Sequence, residues 1–268
     1  MTALEPGTGM VYPLIKPSAW AGCRAHAAGF AASEEAMNVA ARSVQIPAGG
    51  VLLDGDLAIP DPAHGAVLFA HGSGSSRHSP RNRYVAAELQ ASGLVTVLAD
   101  LLTPAEEQID ARTARLRFDI GLLALRVRFL TDWLAGYRPT AGLPTGLFGA
   151  STGAAAALVA AAGRPRLVTA VVSRGGRPDL AAEYLPSVRQ PVLLIVGELD
   201  TEVIELNRRA RQRLGGESRL VIVEGASHLF AEPGALEQVA RLARAWFADH
   251  LKPGQRADSH PGGNTASG

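Results

Sequence analysis

Residues 145–160 read TGLFGASTGAAAALVA. The first four fit a short buried strand. The chain then passes through Gly149-Ala150-Ser151-Thr152-Gly153 and continues as alanine-rich helical sequence. A serine between two glycines, on a strand-to-helix turn, fits the pattern G-x-S-x-G, in which a nucleophile is held in a strained backbone conformation. Side chains at 149 and 153 would strike the neighbouring helix and strand. Ala154–Ala157 let the helix pack close to the sheet, and the helix N-terminus beneath Ser151 favours developing negative charge. The competing reading is a serine that merely caps a helix.

Outward from this turn the chain alternates. Ser43–Pro47 and Val51–Ile59 read as strands joined by the hairpin signal Ala48-Gly49-Gly50. Ala66–Ala70 and Leu94–Ala99 are apolar runs of the kind buried in parallel sheets. Asn82–Ser92 has helical spacing and stops at Gly93. Ala111–Leu134 reads as one long amphipathic helix. Beyond Ser151, strands are expected at Leu167–Ser173, Val192–Val196 and Leu220–Val223. Helices are expected at Val203–Leu214 and Leu236–Leu251. Strands alternating with helices give βαβ units and a doubly wound, mostly parallel sheet, the α/β class. No connection is long enough to hold a cap domain.

The 268 residues are 47% hydrophobic and 19% charged, which suits one large α/β domain. A net charge of +1 argues against a nucleic-acid partner. The single cysteine, Cys23, permits no disulfide framework. Ala21-Gly22-Cys23 superficially resembles a lipid-attachment box, but Lys16 and two prolines stand where its apolar helix belongs. No run is long and apolar enough for a membrane helix, and a cytoplasmic location is the default expectation. Residues 1–42 read as an irregular leader, with Met37 an alternative start. Residues 252–268 read as a disordered tail.

A serine nucleophile needs a base, and the base an orienting acid; behind this type of turn the chain order is Ser, acid, His. His228, in GASHLF directly after the last strand, is the candidate base. His250 ends a helix and His260 lies in the tail. Asp200, in GELD after Val192–Val196, is the favoured acid, with Glu198 and Asp179 as rivals. Asp200 could instead cap the following helix. The loop AHGSGSSR at 70–77 lacks the glycine spacing of a phosphate cradle. Its small residues suit backbone N–H groups turned toward an oxyanion, with Ser73 and Thr152 the candidate donors. His71 reads as a support for this loop.

GASTG, HGSGSS, GELD and GASHLF together resemble the α/β-hydrolase superfamily, and within it the dienelactone-hydrolase-related group of small, capless serine esterases, over residues 43–251. The resemblance implies an eight-stranded α/β-hydrolase fold and ester hydrolysis through Ser151, His228 and Asp200. Dienelactone hydrolases carry a cysteine nucleophile where this chain has Ser151, so the lactone substrate is not carried over.

The expected activity is that of a carboxylic ester hydrolase on a small or accessible ester, with no cofactor and no metal. Thioesterase, acyltransferase and peptidase activities share the same triad, and a non-catalytic binding protein could share the fold. Arg77, Arg81, Arg174 and Arg177 fall near the expected mouth. They could recognise a substrate carboxylate, or tie loops together through Asp179 and other acids.

Overall fold

The structure, a computed structural model, describes residues 39–252. Most of the expected leader, with Cys23 and Met37, and nearly all of the expected tail lie outside the described residues.

Among the described residues eight strands form one sheet in the order β1-β2-β4-β3-β5-β6-β7-β8. They are β1 (Arg42–Pro47), β2 (Leu52–Ala58), β3 (Gly65–Ala70), β4 (Leu94–Ala99), β5 (Thr145–Ala150), β6 (Val168–Arg174), β7 (Val192–Gly197) and β8 (Ser218–Val223). β2 runs antiparallel to β1 and β4, and every other pairing is parallel. This is the α/β-hydrolase fold, mostly parallel with flanking helices. The β1–β2 hairpin closes where the sequence predicts, with Ala48 N–H donating to the Val51 carbonyl at 2.8 Å.

Among the described residues six helices cover the sheet: α1 (Pro80–Ala91), α2 (Pro104–Thr113), α3 (Ile120–Gly136), α4 (Thr152–Gly163), α5 (Thr201–Arg211) and α6 (Ala235–His250). Strand alternation sorts the core into two layers. Leu68, Leu147 and Val171 pack under α3 and α4 with Leu130, Ala156 and Leu158. Phe69, Phe148 and Val172 face the other way, into α1 and α6, with Val85, Leu89, Val239 and Phe247. β3, β4, β5 and β7 are buried along their whole length, as their unbroken apolar runs require.

One expectation is corrected. The stretch read as a single helix over Ala111–Leu134 is α2, a short 3-10 turn at Leu116–Phe118, and α3. α2 begins earlier than expected, behind Pro104, with a capping box between Thr103 and Glu106. It ends where Ala114 takes a left-handed φ of 52°. The cause is Asp110, whose Oδ1 accepts the N–H groups of Leu116 at 2.7 Å and Arg117 at 3.0 Å. Those amides would otherwise continue the helix; a side-chain acceptor turns the chain instead. Asp119 then caps α3 by accepting the Leu122 N–H at 2.9 Å.

β3 sits where the chain turns from one half of the sheet to the other, with β4 on one side and β5 on the other. In open α/β sheets the loops at the C-terminal ends of such strands frame the ligand crevice. The loop after β3 and the turn after β5 are HGSGSS and GASTG.

Candidate active site

Ser151 sits between β5 and α4 with φ 51° and ψ −120°. A non-glycine residue rarely adopts such a backbone, and it persists only where its surroundings hold it. Here they do: Ser151 N–H donates to the Arg174 carbonyl at 3.2 Å, and the Ser151 carbonyl accepts from Ala154 and Arg177, both at 3.1 Å. The flanking glycines are required by space. A Cβ on Gly149 would strike the α4 backbone at Ala154, and one on Gly153 would strike the carbonyls of Ala70 and His71. The Ser151 side chain makes no capping hydrogen bond to α4. The helix-cap reading therefore has no support in its geometry.

His228 follows β8, and Asp200 follows β7. Their side chains meet with His228 Nδ1 2.5 Å from Asp200 Oδ2. The imidazole is the more open partner, at 39% side-chain exposure against 16% for the carboxylate. Asp200 heads α5 but makes no side-chain cap bond to it, so its carboxylate is given to the histidine. Glu198 faces elsewhere, accepting the Gly225 N–H at 2.8 Å. Asp179 is held by Arg177. Of the three acids considered, Asp200 is the one brought to His228. Among the described residues no hydrogen bond links Ser151 Oγ to His228. A Cβ on Gly175, which follows the Arg174 whose carbonyl receives the Ser151 N–H, would lie 3.4 Å from the His228 ring.

Two bonds invisible in the sequence hold the histidine loop. Glu198 grips Gly225 as above, and Glu232 Oε2 accepts the Ser227 N–H at 3.0 Å. Hydrogen bonds from Ser227 hold the Glu232 carboxyl below the usual carboxylate range. His250 caps the end of α6, its Nδ1 2.9 Å from the Trp246 carbonyl.

The loop after β3 is tied to the nucleophile turn. Ser73 N–H donates to Thr152 Oγ1 at 2.9 Å. This expected oxyanion donor is thus engaged by the side chain of the other. Thr152 is the first residue of α4, so its own N–H has no acceptor within the helix. His71 supports the loop as expected. Its ring lies between Nδ1···Gly72 carbonyl at 3.0 Å and Nε2···Leu101 N–H at 3.1 Å. The second bond needs an unprotonated Nε2, and burial lowers the His71 pKa accordingly.

The four arginines divide. Arg77 is enclosed by acids, pairing with Asp100 and lying 3.7 Å from Asp56 and 3.9 Å from Asp54. Arg177 forks onto Asp179 at 2.9 and 2.8 Å. Both ends of the loop-tying reading are therefore occupied. Arg174 is buried at 8% exposure, and Arg81 stands near it at the start of α1. A fifth arginine escaped the sequence reading. Arg117, paired with Asp110 at 2.5 Å, reaches toward Gly74 and lines a cleft with the HGSGS loop, Leu102 and Leu123. Nothing in the chain punctuates the turn that puts it there.

No helix among the described residues is long and apolar enough to cross a membrane, and no His, Cys, Asp and Glu cluster among them has the form of a metal site.

Comparison with known proteins agrees with this architecture. A protein of Mycobacterium tuberculosis, provisionally called a phosphoribosyl transferase, is 58% identical over 208 residues, covering 78% of this chain and 46% of its own length; a second strain gives the same values. The chain thus spans about half the length of the curated relatives it matches. The crystal structure of a dienelactone hydrolase from Anabaena variabilis superposes with a TM-score of 0.79 at 59% identity, covering 80% of this chain and 99% of that one. An esterase from Pyrococcus furiosus shares the fold, with a TM-score of 0.62 at 17% identity over 80% of this chain and 92% of its own. The model of the dienelactone hydrolase family matches residues 53–250. With its elbow at Ser151 and a histidine paired to an acid at two neighbouring strand ends, the chain belongs to the dienelactone hydrolase family.

Proposed function

We propose that the protein is a carboxylic ester hydrolase working through Ser151, His228 and Asp200. The observation that carries this reading is the 2.5 Å contact between His228 and Asp200, at strand ends beside a serine held at φ 51°. A strained serine lifted on a turn and an imidazole oriented by a buried-side acid are the parts acyl transfer needs.

The steps follow from these positions. Asp200 accepts the Nδ1–H of His228, which leaves Nε2 as the basic nitrogen. His228 takes the Ser151 proton as Oγ attacks the ester carbonyl. The Thr152 N–H, at the head of α4, stabilises the oxyanion, while the Ser73 N–H, bonded to Thr152 Oγ1, holds the loop after β3 against it. His228 then returns the proton to the leaving alcohol. Water, deprotonated by the same histidine, attacks the acyl-enzyme, and His228 passes that proton to Ser151 Oγ as the acid is released. The open His228 ring turns onto Ser151 once substrate fills the cleft, since catalytic hydrogen bonds tighten in the complex. No cofactor enters these steps.

Hydrolysis of p-nitrophenyl esters over a ladder of acyl lengths tests the reading. Activity in the wild type, lost in Ser151→Ala and in His228→Ala, is the expected result. Activity that survives Ser151→Ala would sink the mechanism. Product analysis with alcohol or amine acceptors separates hydrolysis from acyl transfer.

A further inference from the structure

Arg174 is the last residue of β6, opposite Ala150 across the β5–β6 pairing. Its carbonyl receives the Ser151 N–H. Its side chain is the unusual part. Ser173, one residue earlier, points under α4, where its Oγ crowds Gly176 near Ala154. Alternation therefore sends Arg174 to the opposite face, toward α1. There it is nearly enclosed, at 8% exposure. Among the described residues no hydrogen bond or ion pair engages its guanidinium, and its Nη1 is buried without a partner. Its charged neighbour is of like sign: Arg81, in the first turn of α1, immediately after the HGSGSS loop.

A buried guanidinium without a carboxylate is costly, and arginine cannot escape the cost by losing its proton at neutral pH. Burial, and second the charge of Arg81, push its pKa down to about 9, which still leaves it charged. Arg77 and Arg177 show how this chain neutralises arginines that only tie loops: each has an aspartate against it. Arg174 has none, at a position one residue across the sheet from the nucleophile's turn.

We propose that Arg174, with Arg81 beside it, is an anion-binding subsite of the active-site crevice that takes the carboxylate or phosphate oxygens of an anionic substrate. The link to substrate rests on the hydrolase reading above; anion binding itself does not. The forked guanidinium donates to two oxyanion oxygens at once, and the enclosed setting strengthens the pair.

The test separates the two. Ser151→Ala protein is titrated with sodium phosphate, sodium acetate and sodium chloride at matched ionic strength, followed by calorimetry and thermal denaturation. Saturable binding of phosphate or acetate that exceeds chloride, and that falls at least tenfold in a Ser151→Ala, Arg174→Met protein, is expected. Tighter binding of phosphate assigns a phosphorylated substrate, and equal or tighter binding of acetate a carboxylate. A response equal to that of chloride, or one that survives Arg174→Met, overturns the subsite. Arg174→Lys, which keeps the charge but not the fork, should bind weakly and guards against misfolding of the methionine variant. In parallel, kcat/KM is measured for 4-nitrophenyl acetate and for the anionic 4-nitrophenyl hydrogen succinate. The anionic-to-neutral ratio should fall at least tenfold in Arg174→Met, and an unchanged ratio overturns substrate recognition. Anion binding by a protein that cleaves no ester would leave the subsite standing and remove the hydrolase reading.

Discussion

The backbone N–H of Ser73 donates to the side chain of Thr152 at 2.9 Å, joining the loop after β3 to the residue that follows the nucleophile. Both residues were expected to serve the oxyanion through their amides alone. The hydroxyl adds a function that no G-x-S-x-G pattern specifies: it fixes where the Ser73 amide stands. Thr152→Val keeps the shape and removes the acceptor. It should lower kcat by roughly tenfold, somewhat less than deleting an oxyanion donor outright. Thr152→Ser keeps the hydroxyl and should stay within about twofold of wild type. Equal losses in both variants would assign the effect to packing.

The strain at Ser151 is measurable apart from activity. At φ 51° an alanine is as ill-placed as the serine, whereas glycine is at ease. Ser151→Gly and Ser151→Ala should both be inactive, yet the glycine variant should be more stable by about 1 kcal/mol. Chemical denaturation of the two proteins reads this difference. Equal stabilities would mean that the turn stores no strain.

The acid can be identified by exchange of its charge. Asp200→Asn leaves the shape but loses the group that selects the His228 tautomer, and kcat should fall by roughly 10³ to 10⁴. Glu198→Gln and Asp179→Asn, whose carboxylates bind Gly225 and Arg177, should cost less than tenfold. Ranking the three variants on one ester is enough. A Glu198→Gln loss equal to that of Asp200→Asn would reopen the assignment.

The places of Ser151, Asp200 and His228 in the fold were within reach of the sequence because their signals are local. Buried parallel strands announce themselves as apolar runs, and the glycines answer collisions, Gly149 with the first turn of α4 and Gly153 with the end of β3. Strand order then carries Ser151, Asp200 and His228 to one edge of the sheet. What the sequence hid depends on side chains reaching backbone. The Asp110 carboxylate breaks the expected helix at Ala114, a residue that ordinarily extends helices, and so delivers Arg117 to the HGSGS loop. The fates of the arginines are equally non-local. Arg77 finds Asp54 and Asp56 on β2 and Asp100 after β4, and Arg174 finds no acid among the described residues. Asp110→Asn should weaken that break by loosening Arg117. Its effect, about 1–2 kcal/mol of stability with a rise in KM, is readable by denaturation and ester kinetics.

His71 gives the loop a pH dependence whose sign is fixed. Burial, which withholds water from the protonated ring, lowers its folded-state pKa below the ordinary 6.5, and a ring protonated at Nε2 could not accept the Leu101 N–H. The unfolded chain therefore binds the proton more readily, and its contribution to stability is complete above about pH 6.5 and is lost as the pH falls toward the folded value. His71→Ala should cost about 2 kcal/mol at pH 8, through the orphaned Leu101 amide and the vacated space. At pH 5 the same substitution should cost distinctly less, since the wild type has by then surrendered part of what His71 supplies. Denaturation of both proteins at the two pH values measures the difference. A cost that does not shrink on acidification would show that His71 keeps an ordinary pKa and that the loop is held by Ser73 and Thr152 instead.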